Sequence, residues 1–461
     1  MTKAKDTLTQ GSINKVLTRL TIPMIFGIFG MVAFNLIDAY FVGLMGTNEL
    51  AALSFTFPVV MVLGAIGMGM SMGASAVISR AIGEGDQKKV QRLTVDSIVL
   101  AVVFAGIFVI VGLFTMDPLF RALGATEEVL PMIKDYMYIW YIGVIFVIVP
   151  FVGNSAIRSN GDTKTPAIIM MGMVGLNIIL DPILIFGMGP FEGLGIAGAA
   201  IATVIARSFS LVAALIILKR ADMLTLEVPS FNEAMKSWGS ILYVGLPAAA
   251  TNLVVPLSTA VITKLVAGYG EAAVGALGVS SKIDLFAIMV VVALSTVIGP
   301  FVGQNVGARN YQRLITGINR SMVFALLWGI GMLIVMISTA RYFAPFIHED
   351  PEVVKVIILY LSITPFGYSA RCVYALGNTI LNVLNKPLHA SGITLVQMFG
   401  VYIPLAYWGS EFLGVAGIFG AYATAYLAGG MASYLLVRKN LRENFQVETS
   451  ENLIQEVETS S

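Results

Sequence analysis

Two aspartates lie inside long apolar runs of the sequence. Asp38 stands in "MVAFNLIDAYFVGLM" and Asp181 in "VGLNIILDPILIFG", and an asparagine precedes each acid by about one helical turn, at Asn35 and Asn177. A charged side chain deep in a membrane helix costs about 2.5–3.5 kcal/mol on insertion scales, so it is rarely retained without partners or purpose. Carboxylate and amide oxygens together are ligands for a proton or a small hard cation.

The two acids are expected at similar depth. Counting from Leu20 and from Pro166 at the helical rise, Asp38 and Asp181 lie about 27 and 22 Å from the inner boundary. Pro182 also lacks an N–H, which leaves the Ile178 carbonyl available to a cation, water or side chain. A shared proton or sodium site is one interpretation. The other is that each acid only hydrogen-bonds a neighbouring helix.

Three further polar residues are candidates for the same site. They are Tyr136 and Asn154 in the fourth apolar run and Thr203 in the sixth. Each either completes the cation site or makes an ordinary hydrogen bond between helices.

The composition identifies the setting of these residues. The chain has 461 residues, 57% hydrophobic and 12% charged, with a mean hydropathy of +0.85, whereas soluble domains carry about 25% charged residues. One cysteine and two histidines argue against metalloenzyme chemistry, and a net charge of +1 gives no reason to expect nucleic acid. The chain is therefore predicted to be an integral membrane protein.

Apolar runs of about 20 residues or more predict twelve membrane spans. They are placed at 16–44, 50–79, 93–115, 128–156, 166–187, 194–218, 238–264, 274–303, 316–340, 352–382, 387–410 and 413–437. With the N-terminus inside, twenty lysines and arginines fall on the inner side and five on the outer side. Because positive charge collects in cytoplasmic loops, both termini are predicted to be cytoplasmic.

The chain contains an internal repeat. At an offset of 224 residues, "VGLMGTNELAAL" aligns with "VAGYGEAAVGAL", Pro23 with Pro247, and "ISRAIGEGDQKKV" with "VGQNVGARNYQRL". Six spans per half give both halves the same direction through the membrane, which is the parallel-repeat design of many transporters. A static scaffold or a channel is the alternative, but rigid-body alternation of two lobes favours a transporter.

The repeat also provides a control for the acids. Asp38 aligns with Ile262, and aligning the prolines after Asp181 pairs it with Ile403, so neither acid is required by the fold. In the second half, Lys282 and Asp284 point to different sides of their helix, and either a structural or a substrate role is open. Arg207 and Arg371 lie toward cytoplasmic helix ends, where we expect them to extend to the membrane surface.

These features resemble the multidrug and toxic compound extrusion (MATE) transporters. The resemblance covers residues 12–440 and is most specific in "RSNGDTKTP" and "LNIILDPILIFG…GLGIAGAAIATVIA". It implies a V-shaped pair of six-helix lobes and export of cationic or amphipathic compounds in exchange for protons or sodium. One branch of the family has its cation site in the first lobe. Carried over, that site comprises Asp38, Asp181, Asn177, Asn154, Tyr136 and Thr203, with Pro23 as the helix-bending proline. The helical spacing adds Asn35 as a supporting residue beside Asp38.

The sequence departs from another branch of the family, which has acids in spans 7 and 10. Span 7 contains no acid and span 10 carries Arg371, so coupling is expected to rest on the first lobe. A flippase for lipid-linked precursors is the alternative function, although such proteins tend to carry extra spans and a cationic cavity. A lipid enzyme is disfavoured because the sequence contains no HExxH pair and no histidine–acid cluster at membrane depth.

The expected protein is thus an all-α multi-pass protein of the plasma membrane, not an enzyme, which acts as a monomer on small molecules. No cofactor is expected, and a proton or sodium is the coupling ion, with sodium possible at Asp38 and Asp181. The domains are predicted as a cytoplasmic N-terminal segment (1–15), an N-lobe with spans 1–6 and the cation site (16–218), a cytoplasmic linker (219–237), a C-lobe with spans 7–12 (238–437) and a cytoplasmic tail (438–461).

Overall fold

The structure is a computed structural model that describes residues 8–188, 191–227 and 229–443. These residues are almost entirely helical. The helices are α1 (Ile13–Gly43), α2 (Thr47–Glu84), α3 (Gln87–Ala122), α4 (Leu130–Ser159), α5 (Lys164–Phe186), α6 (Ile196–Arg220), α7 (Phe231–Ala267), α8 (Glu271–Gly307), α9 (Tyr311–Ile347), α10 (Pro351–Ile363), α11 (Tyr368–Val383), α12 (Pro387–Leu395), α13 (Ile403–Leu413) and α14 (Val415–Leu441).

Short non-α turns join two pairs of these helices. A 3₁₀ turn, Thr364–Gly367, connects α10 to α11, and a π-helical turn, Val396–Tyr402, connects α12 to α13. Each pair forms one continuous span, Pro351–Val383 and Pro387–Leu413. The described residues therefore contain twelve helices long and apolar enough to cross a membrane, which confirms the predicted number.

One element was not predicted. Two short strands, β1 (Gly187–Met188) and β2 (Phe191–Glu192), pair antiparallel between α5 and α6, with Gly187 opposite Glu192. Two-residue strands carry no periodic pattern that a sequence could reveal.

Several helices begin before the apolar run that predicted them, because the polar residues that cap their N-termini precede that run in the sequence. Asp86 accepts a hydrogen bond from the Lys89 backbone N–H at 3.0 Å at the start of α3. At the start of α7, the backbone N–H and hydroxyl of Ser230 both donate to Glu233 Oε2, at 3.0 and 2.7 Å. This Glu233 half of a capping box starts α7 inside the predicted 219–237 linker.

The internal repeat is visible in the backbone. The turns with positive φ recur at the predicted offset of 224, at Gly46 and Gly270 and at Gly85 and Arg309. A further pair at that offset is Gly161 and Asn385. Asp86 and Asn310, also 224 residues apart, cap α3 and α9 in the same way, each accepting from the backbone N–H three residues on. The two halves therefore turn at equivalent residues.

The contacts divide the described residues into two compact units, one within residues 22–249 and the other within residues 8–21 and 250–443. From here on, the first unit is the N-lobe and the second the C-lobe, with bounds that differ from the predicted 16–218 and 238–437. The borders lie inside α1 and α7, beside the aligned prolines Pro23 and Pro247. The start of the chain joins the C-lobe because the Leu8 backbone N–H donates to Gln304 Oε1 at 3.0 Å and its carbonyl accepts from Arg313 Nε at 3.0 Å.

Within the N-lobe, α4 lies at the centre and packs against α2, α3 and α6. Helices α2 and α7 approach backbone to backbone through glycines. A Cβ atom on Gly73 would lie 2.3 Å from the Ile241 carbonyl oxygen, and one on Gly69 would lie 2.4 Å from the Gly245 carbonyl oxygen. Small residues of this kind allow membrane helices to pack closely.

This crossing gives a stability prediction. Gly73→Ala forces α2 and α7 apart and should destabilise the N-lobe by about 1–3 kcal/mol, which is typical of overpacking. Gly64→Ala on the same helix is the matched control, since a Cβ atom there has no neighbour within 4 Å. We expect a lower apparent unfolding temperature in detergent for Gly73→Ala only. Equal unfolding temperatures for the two variants would contradict the close crossing.

Candidate functional site

Helices α1 and α5 run side by side in the N-lobe and bring the two aspartates to the same level. A Cβ atom on Gly27 would lie 3.2 Å from Met170 Sδ, and one on Gly30 would lie 2.6 Å from Met171 Sδ. From the first contact to the second, the residue number rises on both helices, so α1 and α5 are parallel here. Asp38 and Asp181 then lie about 12 and 15 Å beyond the Gly30–Met171 contact.

Asp181 is fully buried in α5 and is only half satisfied. The Nδ2–H of Asn177, one turn earlier, donates to Asp181 Oδ1 at 2.9 Å. Asp181 Oδ2 and Asn177 Oδ1 are buried without any hydrogen-bond partner. The predicted asparagine–aspartate pairing in span 5 is therefore present, with one oxygen of each side chain unpaired.

Asp38 is the second acid of the site. Its Oδ1 atom is buried and has no hydrogen-bond partner. The carboxylate interacts electrostatically with Asp181, with Arg207 of α6 and with Tyr136 of α4. Four helices, α1, α4, α5 and α6, thus contribute charged or polar groups to one region of the N-lobe.

Arg207 supplies a positive charge that interacts with Asp38. Its guanidinium Cζ atom lies 5.7 Å from the ring centroid of Phe34 and 5.6 Å from that of Trp140. Its Nε atom is buried and has no hydrogen-bond partner. The expectation that Arg207 extends to the membrane surface is wrong, because the two aromatic faces and the Asp38 carboxylate hold it inside the lobe.

The remaining predicted site residues divide into those near the acids and those away from them. Gly198 of α6 packs on the Leu184 backbone of α5, and counting along these antiparallel helices puts Thr203 within about one turn of the level of Asp181. Thr203 Oγ1 is buried and unpartnered. Tyr136 is buried, stacks on Trp140 with a 6.2 Å centroid separation, and interacts electrostatically with both acids.

Asn154 lies elsewhere in α4. It follows Tyr136 by eighteen residues in one helix, about 27 Å along the axis, and its Nδ2–H donates to Ser210 Oγ at 3.3 Å. The structure therefore does not bring Asn154 together with Tyr136. Pro23 lies within the continuous helix α1. The Asn35 side chain is outside the part of the chain that the structure describes.

The arrangement can bind a cation. Four buried oxygens have no donor, namely Asp38 Oδ1, Asn177 Oδ1, Asp181 Oδ2 and Thr203 Oγ1. Buried acceptors without a donor are costly, by about 1–3 kcal/mol each and more when charged. Two ionised aspartates and one arginine also leave one negative charge uncompensated. A proton or a monovalent cation supplies what this set of oxygens lacks.

The C-lobe contains a different ionisable cluster, in which every charge is compensated. Asp284 of α8 is 2% exposed and accepts hydrogen bonds from Tyr360 at 2.8 Å, from Tyr422 at 3.0 Å and from Tyr368. Arg371 Nη1 donates to Asp284 Oδ2 at 3.1 Å. The guanidinium Cζ atom also lies 5.2 Å from the ring centroid of Tyr426.

This cluster answers two questions that the sequence left open. Asp284 is tied into a satisfied network across α8, α10, α11 and α14, which supports a structural role for it, while Lys282 on the same helix is exposed. Arg371 does not extend to the membrane surface, because Asp284 and the tyrosine faces hold it. That expectation was also wrong, since only the fold brings these partners together.

Sequence reasoning missed Arg207 as a member of the first cluster. One signal was available: Arg207 follows Thr203 by four residues, so both lie on one face of α6. The partners that hold it, Phe34 and Trp140, are on other helices and carry no sequence signal of their own.

Twelve membrane-spanning helices in a duplicated arrangement, with unsatisfied acids in one lobe, define a membrane transporter. The MatE family matches residues 23–183 and 247–408, two segments that begin 224 residues apart. The chain therefore belongs to the MATE family, and it is a multi-pass membrane transporter rather than an enzyme.

Individual relatives support this assignment over nearly the whole chain. A protein of Shewanella oneidensis named FAD transporter is 34% identical over 439 residues, 95% of this chain and 97% of the relative. The multidrug export protein MepA of Staphylococcus aureus is 25% identical over 446 residues, which are 95% of this chain and 96% of MepA. A crystal structure of the Vibrio cholerae MATE transporter VcmN in the bent form superimposes with a TM-score of 0.88 at 31% sequence identity. The superposition covers 93% of this chain and 97% of VcmN.

The C-lobe network gives a second stability prediction. Arg371→Met leaves the Asp284 charge buried without compensation and should cost about 3–5 kcal/mol. The double variant Arg371→Met/Asp284→Asn removes both charges and should recover part of that loss. The free energies of unfolding of the wild type, Arg371→Met, Asp284→Asn and the double variant form one thermodynamic cycle. This cycle measures the coupling between Arg371 and Asp284. Strictly additive losses would contradict a direct ion pair.

Proposed function

We propose that this transporter exports small molecules in exchange for a cation that binds between Asp38 and Asp181 in the N-lobe. The observation that carries the proposal is the set of four buried oxygens without donors beside one uncompensated negative charge. A structural role for the acids would instead require partners on neighbouring helices, as Asp284 has. Both termini are proposed to be cytoplasmic, from the distribution of positive charge.

The residues of the proposed site have distinct roles. Asp38 and Asp181 bind the cation, and Asn177 orients Asp181 through its N–H donor. Thr203 offers a hydroxyl oxygen within about one turn of the same level, and Tyr136 interacts electrostatically with both acids. Arg207 compensates one of the two negative charges, so the site is neutral with one monovalent cation. We therefore propose that one cation is exchanged in each transport cycle.

Exchange follows from the charge of this site. A cationic substrate and the coupling cation compete for the same carboxylates, so binding of one favours release of the other. Pro23 and Pro247 lie beside the borders of the two compact units, at equivalent positions of the repeat. Each lacks a backbone N–H, which weakens its helix locally and suits a bend that accompanies alternating access.

The coupling ion is tested directly by transport. Purified protein in liposomes should move a fluorescent cationic dye under an imposed proton or sodium gradient, and the effective gradient identifies the ion. Asp38→Asn should reduce this transport to the level of empty liposomes, because it removes one of the two anionic ligands. Asp135→Asn, an exposed acid of the same lobe, is the control and should retain activity. Full activity of Asp38→Asn would remove Asp38 from the mechanism.

A second substrate class is favoured by Arg207. The relative from Shewanella oneidensis is named FAD transporter, and a flavin dinucleotide combines an anionic pyrophosphate with aromatic rings. In this chain a guanidinium with an unpartnered Nε lies between the rings of Phe34 and Trp140. Arginine binds phosphate oxygens and stacks on aromatic faces, so it is suited to such a molecule.

The two substrate classes respond differently at one residue. Arg207→Gln removes the positive charge, so export of a flavin dinucleotide from loaded liposomes should fall at least tenfold, while export of the cationic dye should persist. Arg320→Gln, an exposed arginine of the C-lobe, is the control for overall charge. Equal loss of both substrates in Arg207→Gln would count against a distinct role of this arginine in binding anionic compounds.

A further inference from the structure

An open cavity of about 400 Å³ lies at the surface of the C-lobe, between the segment of α12 that leads into the π-helical turn and the facing part of α14. Its walls are mainly apolar, with Leu388, Ile393 and Val396 on one side and Ala432 and Leu436 on the other. His389 and Gln397 are the polar side chains of the lining. The volume is that of a site for one small organic molecule.

Gln397 is the unusual member of this wall. It is 2% exposed, and neither its amide oxygen nor its amide nitrogen has a hydrogen-bond partner. Gly429 of α14 makes room for it, since a Cβ atom there would lie 2.4 Å from Gln397 Oε1. A buried amide with both ends unpaired is rare and costly, because native structures pair nearly all such groups.

The backbone gives an independent indication at the same place. Gln397 lies at the start of the π-helical turn Val396–Tyr402. Such turns are rare, appear mostly as local bulges in α-helices, and are frequent at functional sites. A bulge changes the direction of the side chains around it. Here the bulge lies where the unpaired Gln397 amide forms part of the cavity wall.

We propose that this cavity binds a small, uncharged, largely apolar molecule through an amide or imide edge that pairs with Gln397. The Gln397 amide needs a carbonyl acceptor for Nε2 and an N–H donor for Oε1. An amide or imide edge presents both groups side by side. Rotation of the glutamine side chain toward the cavity sacrifices no existing hydrogen bond.

Two other kinds of occupant fit less well. A charged molecule has no opposite charge among the cavity-lining side chains, apart from the titratable His389 at the exposed edge. A phospholipid ester offers acceptors only, so it pairs Nε2 and leaves Oε1 unsatisfied. That the bound molecule is a transport substrate rests on the proposed export function. That the cavity binds such a molecule at all does not rest on it.

Binding to purified protein in lipid nanodiscs, without any ion gradient, tests the site. The probe is lumiflavin, an uncharged fluorescent aromatic molecule with an imide edge, and its partner is 3-methyl-lumiflavin, in which a methyl group replaces the imide hydrogen. We expect the wild-type protein to bind lumiflavin about tenfold more tightly than the methylated probe. Gln397→Leu should remove this preference while leaving the protein at least as stable, because it replaces an unpaired amide with an apolar side chain.

A second pair of variants tests the cavity itself. Gly392 lines it, and a Cβ atom there has no neighbour within 4 Å, so Gly392→Leu should fill the space and weaken binding of both probes. Gly331→Leu, at an equally open glycine of α9 in the same lobe, should bind like the wild type. The proposal is overturned if Gln397→Leu still prefers lumiflavin or if Gly392→Leu binds both probes normally. Gradient-driven dye transport that depends on Asp38 is measured separately and does not depend on this result.

Discussion

The N-lobe site depends on one electrostatic imbalance: two aspartates and one arginine share an apolar interior. Asp38 and Asp181 interact with each other and Arg207 compensates only one of them. The surrounding helices do not compensate the remaining negative charge, since buried oxygens of both acids have no hydrogen-bond donor. In a low-dielectric interior such a deficit is expensive, so a cation that enters the site is bound by the same free energy that its absence costs.

The C-lobe shows what the same architecture does when a buried acid is structural. Asp284 has three tyrosine hydroxyls and an arginine as partners, and its charge is compensated by Arg371. The two lobes derive from one repeat and turn at equivalent residues, including Gly46 and Gly270. Their different charge balance therefore reflects side chains and not backbone. This contrast is the main physical reason to propose cation exchange in the N-lobe alone.

Much of the fold could be predicted from the sequence because its signals are local or periodic. Apolar runs gave twelve spans, and the register that pairs Gly85 with Arg309 reappears as a pair of positive-φ turns. The pairing of Asn177 with Asp181 followed from helical spacing. The aromatic faces around Arg207 and the tyrosines around Asp284 come from distant helices, so no spacing within one segment could indicate them. The start of α7 was misplaced because Ser230 and Glu233 cap it outside the apolar run.

The central claim is that a single cation is bound by Asp38 and Asp181 and is displaced by substrate. The most direct measurement counts the cations released when saturating cationic substrate is added to purified protein in weakly buffered solution, with a glass electrode for protons and a sodium-selective electrode for sodium. The account predicts about one cation released per chain by the wild type and none by the Asp38→Asn/Asp181→Asn double variant. Undiminished release from that double variant, with substrate still bound, would contradict it.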